Sequence, residues 1–107
     1  MYLEAFKLDP EFTWSANNLA WLEATCPDSS VRNGPEAVTY ALHACEKTCW
    51  HCWSFVDTLG AAYAECGDFE SAVKCGERAE LIAPPEEVAG IQKATYMYRL
   101  QQPIRDQ

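Results

Sequence analysis

An internal repeat of two helix-sized segments constrains this chain more than any other feature. In its sharper copy, Val56, Leu59, Tyr63 and Cys66 fall on one stripe at helical spacing. Phe69, Ala72, Val73, Gly76, Ala79 and Ala83 fall on a second. Gly67-Asp68 between them reads as a turn, the glycine closing the first helix in a left-handed conformation and the aspartate capping the next. Pro84 ends the unit, and small residues at Gly60, Ala72, Gly76 and Ala79 let the two helices approach closely. An earlier copy starts near Thr13. Leu19-Ala20 precedes Leu59-Gly60 by 40 residues (59 minus 19), whereas Glu36, Ala37 and Ala44 precede Ser71, Ala72 and Ala79 by 35 (72 minus 37). The difference places an enlarged loop at 27–34. Pro27 stops one helix, Asn33 with Glu36 three residues on reads as a capping box, and Pro35 suits the first turn that follows.

The pattern divides a single domain, 1–107, into four parts. Residues 1–10 read as the second helix of a truncated repeat closed by Asp9-Pro10, 13–51 as a repeat with the enlarged loop, 53–86 as a regular repeat, and 86–102 as a closing helix. The closing helix carries Val88, Ile91, Ala94 or Thr95, and Tyr98 on its inner face. That arrangement amounts to about six helices. One helix pair cannot enclose a core, so the pairs are expected to stack on one another.

Composition narrows the class. Hydrophobic residues at 49% against 22% charged suit a folded domain and not a disordered one. The longest apolar run, Leu59 to Ala64, is far too short to span a bilayer. A net charge of −8, with acids scattered and not in blocks, argues against nucleic acid or an anionic membrane as partner, since both require clustered bases. The first eight residues carry an acid and no apolar run, which predicts no secretory leader and a cytoplasmic protein.

The spacing of Leu59-Gly60-x-x-Tyr63, Gly67-Asp68-Phe69, Ala72, Ala79 and Pro84 resembles the tetratricopeptide (TPR) repeat family. The likeness covers about residues 1–86 and is most specific over 53–86. Asn18-Leu19-Ala20-Trp21-Leu22, Ala24 to Asp28 and Asp57-Thr58-Leu59 look like the last repeats of larger bacterial proteins of that family. In those proteins the final helix is followed by a tail similar to Tyr98-Arg99…Pro103-Ile104-Arg105. The resemblance implies an all-α, right-handed solenoid of antiparallel helix pairs at the C-terminal end of an array. It implies a scaffold that binds a peptide or helix of another protein without catalysis and without a cofactor. Two positions depart from the pattern. Glu23 stands where a large apolar residue is usual, and Gly76 where an aromatic is usual. Burying Glu23 unpaired would be costly, so it is expected to reach solvent or meet a partner.

In that family the first helices of successive repeats line the binding face. By position the face would present Trp14, Asn17, Trp21 and Thr25 from one repeat and Ser54, Asp57, Ala61 and Glu65 from the next. Trp14 and Trp21, seven apart, share one helix face and could anchor a peptide, or could pack against the preceding helix. Relatives that grip a terminal carboxylate use bases from several first helices. Asn17, Asn18, Asp57 and Thr58 supply none, which disfavours an acidic tail peptide.

Cysteine supplies the rival reading. Cys45, Cys49 and Cys52 have the C-x3-C-x2-C spacing of an iron–sulfur ligand set, and with His51 they could also suit zinc. The motif lies at a helix end in a chain with no strand-like segment, not in the loop after a barrel strand, and Cys45 falls at an inward helical position. Cys26, Cys66 and Cys75 read as packing thiols. No phosphate loop, His-Glu-x-x-His motif or nucleophile with a positioned base marks an enzyme, and His43 and His51 read as solvated or packed. A third reading is a structural cap on a longer array. The half-repeat at Tyr2 to Leu8 would then leave an apolar edge through which two copies could pair.

Overall fold

The computed structural model describes residues 10–106, with side chains from Thr13 onward, and among these the chain forms five helices and no strand. Helix α1 spans Pro10–Thr25, α2 Gly34–Lys47, α3 Trp53–Glu65, α4 Phe69–Ile82 and α5 Pro85–Arg99. The protein is all-α, as the apolar periodicities predict. Five helices stand where the sequence suggests about six. The helix expected over 2–8, and the pairing of two copies through it, lie outside the described residues. Helix α1 begins at Pro10, earlier than the expected Thr13, because proline's fixed φ and missing N–H suit a first helical position. Helix α5 stops at Arg99 and not at residue 102, because Gln101 turns left-handed with φ of 59°.

The helix ends show how the sequence sets its own boundaries. Asn33 caps α2 by accepting from Glu36 N at 3.2 Å, and Asp68 caps α4 by accepting from Ser71 N at 3.1 Å. Gly67 takes φ of 82°, which lets its N–H reach Ala64 O and Asp68 N reach Tyr63 O, closing α3 in a Schellman turn. The same two bonds close α5, from Gln101 N to Tyr98 O and from Gln102 N to Met97 O. They also close α2, from Cys49 N to Glu46 O and from Trp50 N to Cys45 O. In those two turns a non-glycine residue holds the left-handed position.

Each helix packs on its neighbours in the chain, and α1 also packs on α3. The buried core is built largely of alanine (positions 16, 20, 24, 37, 41, 44, 61, 62, 72 and 79) with Phe55, Val56, Leu59 and Ile91 between the helices. Small side chains bring helix backbones close. A Cβ at Gly60 would sit 3.2 Å from Cys75 Cβ and 3.5 Å from the Tyr98 ring. One at Gly34 would sit 2.8 Å from Cys66 Sγ. Gly76 lacks the expected aromatic because Thr95 of α5 fills that space, its hydroxyl donating to Ile91 O at 3.0 Å. Cys66 is exposed and does not pack in the α3 stripe, since it lies in the turn that ends the helix.

Glu23 does not reach solvent: it is 7% exposed beside Glu36 of α2, and its Oε1 has no hydrogen-bond partner. Burial, then the neighbouring Glu36, pushes its carboxyl up to about 8. The enlarged loop docks on the same region. Asn33 N donates to Glu23 O at 2.9 Å, while Arg32 donates to Cys26 O at 2.7 Å and Pro27 O at 3.0 Å.

Candidate functional site

Packing of α1 against α3 brings their exposed stripes side by side, and α5 adds a third wall. Two recesses meet there and share Trp21, Trp53 and Asp57. One, of about 480 Å³, is completed by Asn17, Asn18 and Leu22 of α1 and by Ser54 and Thr58 of α3. The other, of about 460 Å³, runs on to Glu87, Ile91, Lys93 and Met97 of α5 and to Ile104 and Arg105 beyond it. Together they form one cleft with indole surface at its centre and acids of α3 and α5 along it.

Of the residues expected on this face, Asn17, Trp21, Ser54 and Asp57 are brought together in the cleft. Trp14 is not among them. It lies edge-on to Phe55, ring centroids 4.6 Å apart at 61°, and with Thr13, Lys47 and Thr48 it lines a separate, smaller recess. Ala61 is fully buried and has no face to offer a ligand. Thr25 is also buried, its hydroxyl donating to Trp21 O at 2.7 Å. Glu65, at the end of α3, is taken up by two arginines, with Arg32 Nε at 3.2 Å and an Arg105 terminal nitrogen at 2.8 Å.

Trp53, Glu87, Lys93 and Arg105 line the cleft and escape the sequence reading. Trp53 was within reach, since it stands four residues before Asp57 and therefore on the same helix face. Glu87, Lys93 and Arg105 carry no local signal, because only the path of α5 and the segment after it bring them here.

Two polar groups in the cleft are held away from their ordinary state. Asn17 is 5% exposed and its side-chain oxygen has no hydrogen-bond partner. A buried amide oxygen without a donor is an uncommon and unfavourable arrangement. Burial, then the charge of Glu87, raises the Asp57 carboxyl to about 6. Behind it, burial and then Asp57 raise the phenol of Tyr98 strongly.

The segment after α5 forms one edge of the cleft. Left-handed Gln101 turns the chain back, and Ile104 packs by Ala64 and Tyr98. Arg105 reaches Glu65, and Asp106 N donates to Thr25 O at 2.9 Å. The Trp21 indole Nε1 donates to Asp106 Oδ2 at 2.7 Å, a bond between residues 85 apart in sequence.

The cysteine motif is divided by the turn that ends α2. Cys45 is buried inside the helix, Cys49 is exposed at the left-handed position, and Cys52 precedes α3. Among the described residues no three His, Cys, Asp or Glu side chains gather as a metal ion requires, and Cys45, Cys49, Cys52 and His51 are not brought together in this structure. Burial, then the nearby Cys75 and Cys52, pushes the Cys45 thiol up to about 12, and burial raises Cys75 to about 12. Both oppose the thiolate that coordination or nucleophilic attack needs. Arg78 steadies the turn by donating to Trp50 O at 3.1 and 3.3 Å. No described helix is long and apolar enough to cross a membrane.

Set against protein-family models, curated proteins and solved structures, the chain matches none of them.

Proposed function

We propose that this chain is a tetratricopeptide-like interaction module, a right-handed solenoid of antiparallel helix pairs whose cleft holds an extended segment of a partner protein. The observation that carries this reading is Asn17. It lines a recess walled by Trp21 and Trp53 while its side-chain oxygen lacks a donor, and a bound segment that turned this amide toward the recess would supply one from its backbone. The indoles offer large apolar surface with little conformational freedom to lose on binding. The order of packing also supports the solenoid, since α1 lies against α3, the first helix of one pair on the first helix of the next. Catalysis forms no part of this reading.

The test is selection of peptides from a random displayed library on the intact chain, followed by affinity measurement against single variants. Trp53→Ala and Asn17→Ala are each expected to weaken a selected peptide at least tenfold, about 1.4 kcal/mol. Selected peptides that bind both variants as well as the parent would sink the reading.

A further inference from the structure

The segment after α5 forms one edge of the cleft, and its contacts show which chemistry the seat beneath it accepts. Pro103-Ile104-Arg105-Asp106 is outside any helix, and successive residues meet different partners. Ile104 lies on an apolar patch beside Ala64 and Tyr98, Arg105 pairs with Glu65, and Asp106 is gripped twice. Its backbone N–H goes to Thr25 O and its carboxylate takes the Trp21 indole N–H. Main-chain bonding combined with side-chain pairing is how a groove holds an extended peptide.

Part of the hold is open to water. The Trp21–Asp106 bond is exposed, and the Arg105 side chain keeps 32% of its surface in water against 17% for Glu65. A charge pair partly open to water is screened more than a buried one. The described residues of this segment also leave the recess at Asn17, Asn18 and Ser54 uncovered. A segment that repeated these contacts and reached Asn17 would make more bonds than the chain's own segment does.

We infer that the seat of this segment, along the edge of the cleft, recognises an extended partner segment in which an apolar residue is followed by an arginine and then an aspartate, with Ile104-Arg105-Asp106 standing in its place until displaced. This rests on the binding reading above and adds to it the partner's chemistry and the competitor built into the chain. A tethered occupant of this kind acts at an effective concentration on the order of millimolar, so a displacing segment has to exceed that competition.

The probe is a fluorescein-labelled peptide with the sequence of residues 101–107, titrated into the full-length chain and into its Arg105→Ala/Asp106→Ala double variant. Anisotropy is expected to show at least tenfold tighter binding to the double variant. The same peptide with glutamate in place of its arginine is expected to bind at least tenfold more weakly. A second measurement does not depend on the variant folding: the Trp21 indole N–H resonance of the parent chain should shift as unlabelled peptide displaces Asp106. Absence of that shift, together with equal or no binding by a folded double variant, would overturn the inference and leave the segment as a structural strap. A parent dimer in sedimentation that becomes monomeric in the double variant would also overturn it, since a second copy would then be the occupant. Library peptides of another chemistry that depend on Trp53 but ignore the double variant would defeat this inference alone. If no peptide of any chemistry depends on Trp53 or Asn17, both readings fall.

Discussion

Thr95 Oγ1 stands where a side chain on Gly76 would begin, so α4 and α5 meet with no room for a methyl group between them. Glycine within an exposed helix ordinarily costs roughly 1 kcal/mol relative to alanine. Here the sign is expected to reverse. Gly76→Ala should destabilise the protein by about 1–3 kcal/mol, the range for overpacking a close contact. Pairing it with Thr95→Ala should recover most of the loss. Urea unfolding of the four members of this cycle checks it, and additive effects would contradict the contact.

Glu23 sets a pH dependence. Its carboxyl titrates near 8 in the folded protein against 4.5 when unconstrained, so between those values the folded state holds a proton that the unfolded state has lost. Stability should therefore fall as pH rises through that window, by up to about 1.4 kcal/mol per pH unit, and level off above it. Asp57, raised to about 6 from 3.8, acts in the same direction over a lower range. Glu23→Gln should flatten the profile between pH 6 and 8 and reduce, without abolishing, the slope below it, where Asp57 still contributes. Chemical denaturation across pH 5 to 9 distinguishes the two.

Cys49 and Trp50 hold consecutive left-handed conformations, φ of 53° and 63°, without a glycine. Each such residue stores on the order of 1 kcal/mol. Cys49→Gly should raise the unfolding free energy by about that amount, and Cys49→Val should lower it, because a branched side chain tolerates this conformation poorly. Thermal melts of both variants provide the readout.

Arg32 ties the enlarged loop to the rest of the molecule through Cys26 O, Pro27 O and Glu65. Its removal strands two carbonyls and half-frees an acid. Arg32→Ala should cost about 1–3 kcal/mol. Arg32→Lys should restore only part, since one ammonium cannot reproduce a fork of donors. Hydrogen exchange at Asn33, whose N–H bonds Glu23 O, should speed up in both variants.

Helix positions were legible in the sequence wherever a local signal sets them. Apolar spacing placed α2 to α5, and Asn33, Gly67 and Asp68 each mark a boundary through their own side chain or its absence. The turns at Cys49 and Gln101 follow the same bonding scheme but carry no residue that announces it. Surrounding contacts hold those conformations, among them Arg78 on Trp50 O in one and Arg105 on Glu65 just past the other. The cysteines show a related effect: a motif gives intervals along the chain, whereas the turn after Lys47 leaves Cys45 buried and Cys49 exposed.

By itself, the sequence determined an all-helical chain and its sharpest caps, because helix formation and capping depend on residues within one or two turns. Helical periodicity put Asn17 with Trp21 on one helix face and Ser54 with Asp57 on another, and only the resemblance to the tetratricopeptide pattern implied that the two faces adjoin. Tertiary structure alone decided that Trp14 turns to Phe55, that Ala61 is covered, that Glu23 finds Glu36, and that Trp21 bonds Asp106. Those outcomes depend on how helices settle against one another and on where the segment beyond α5 returns. Such contacts join residues far apart in sequence, and no local pattern specifies them.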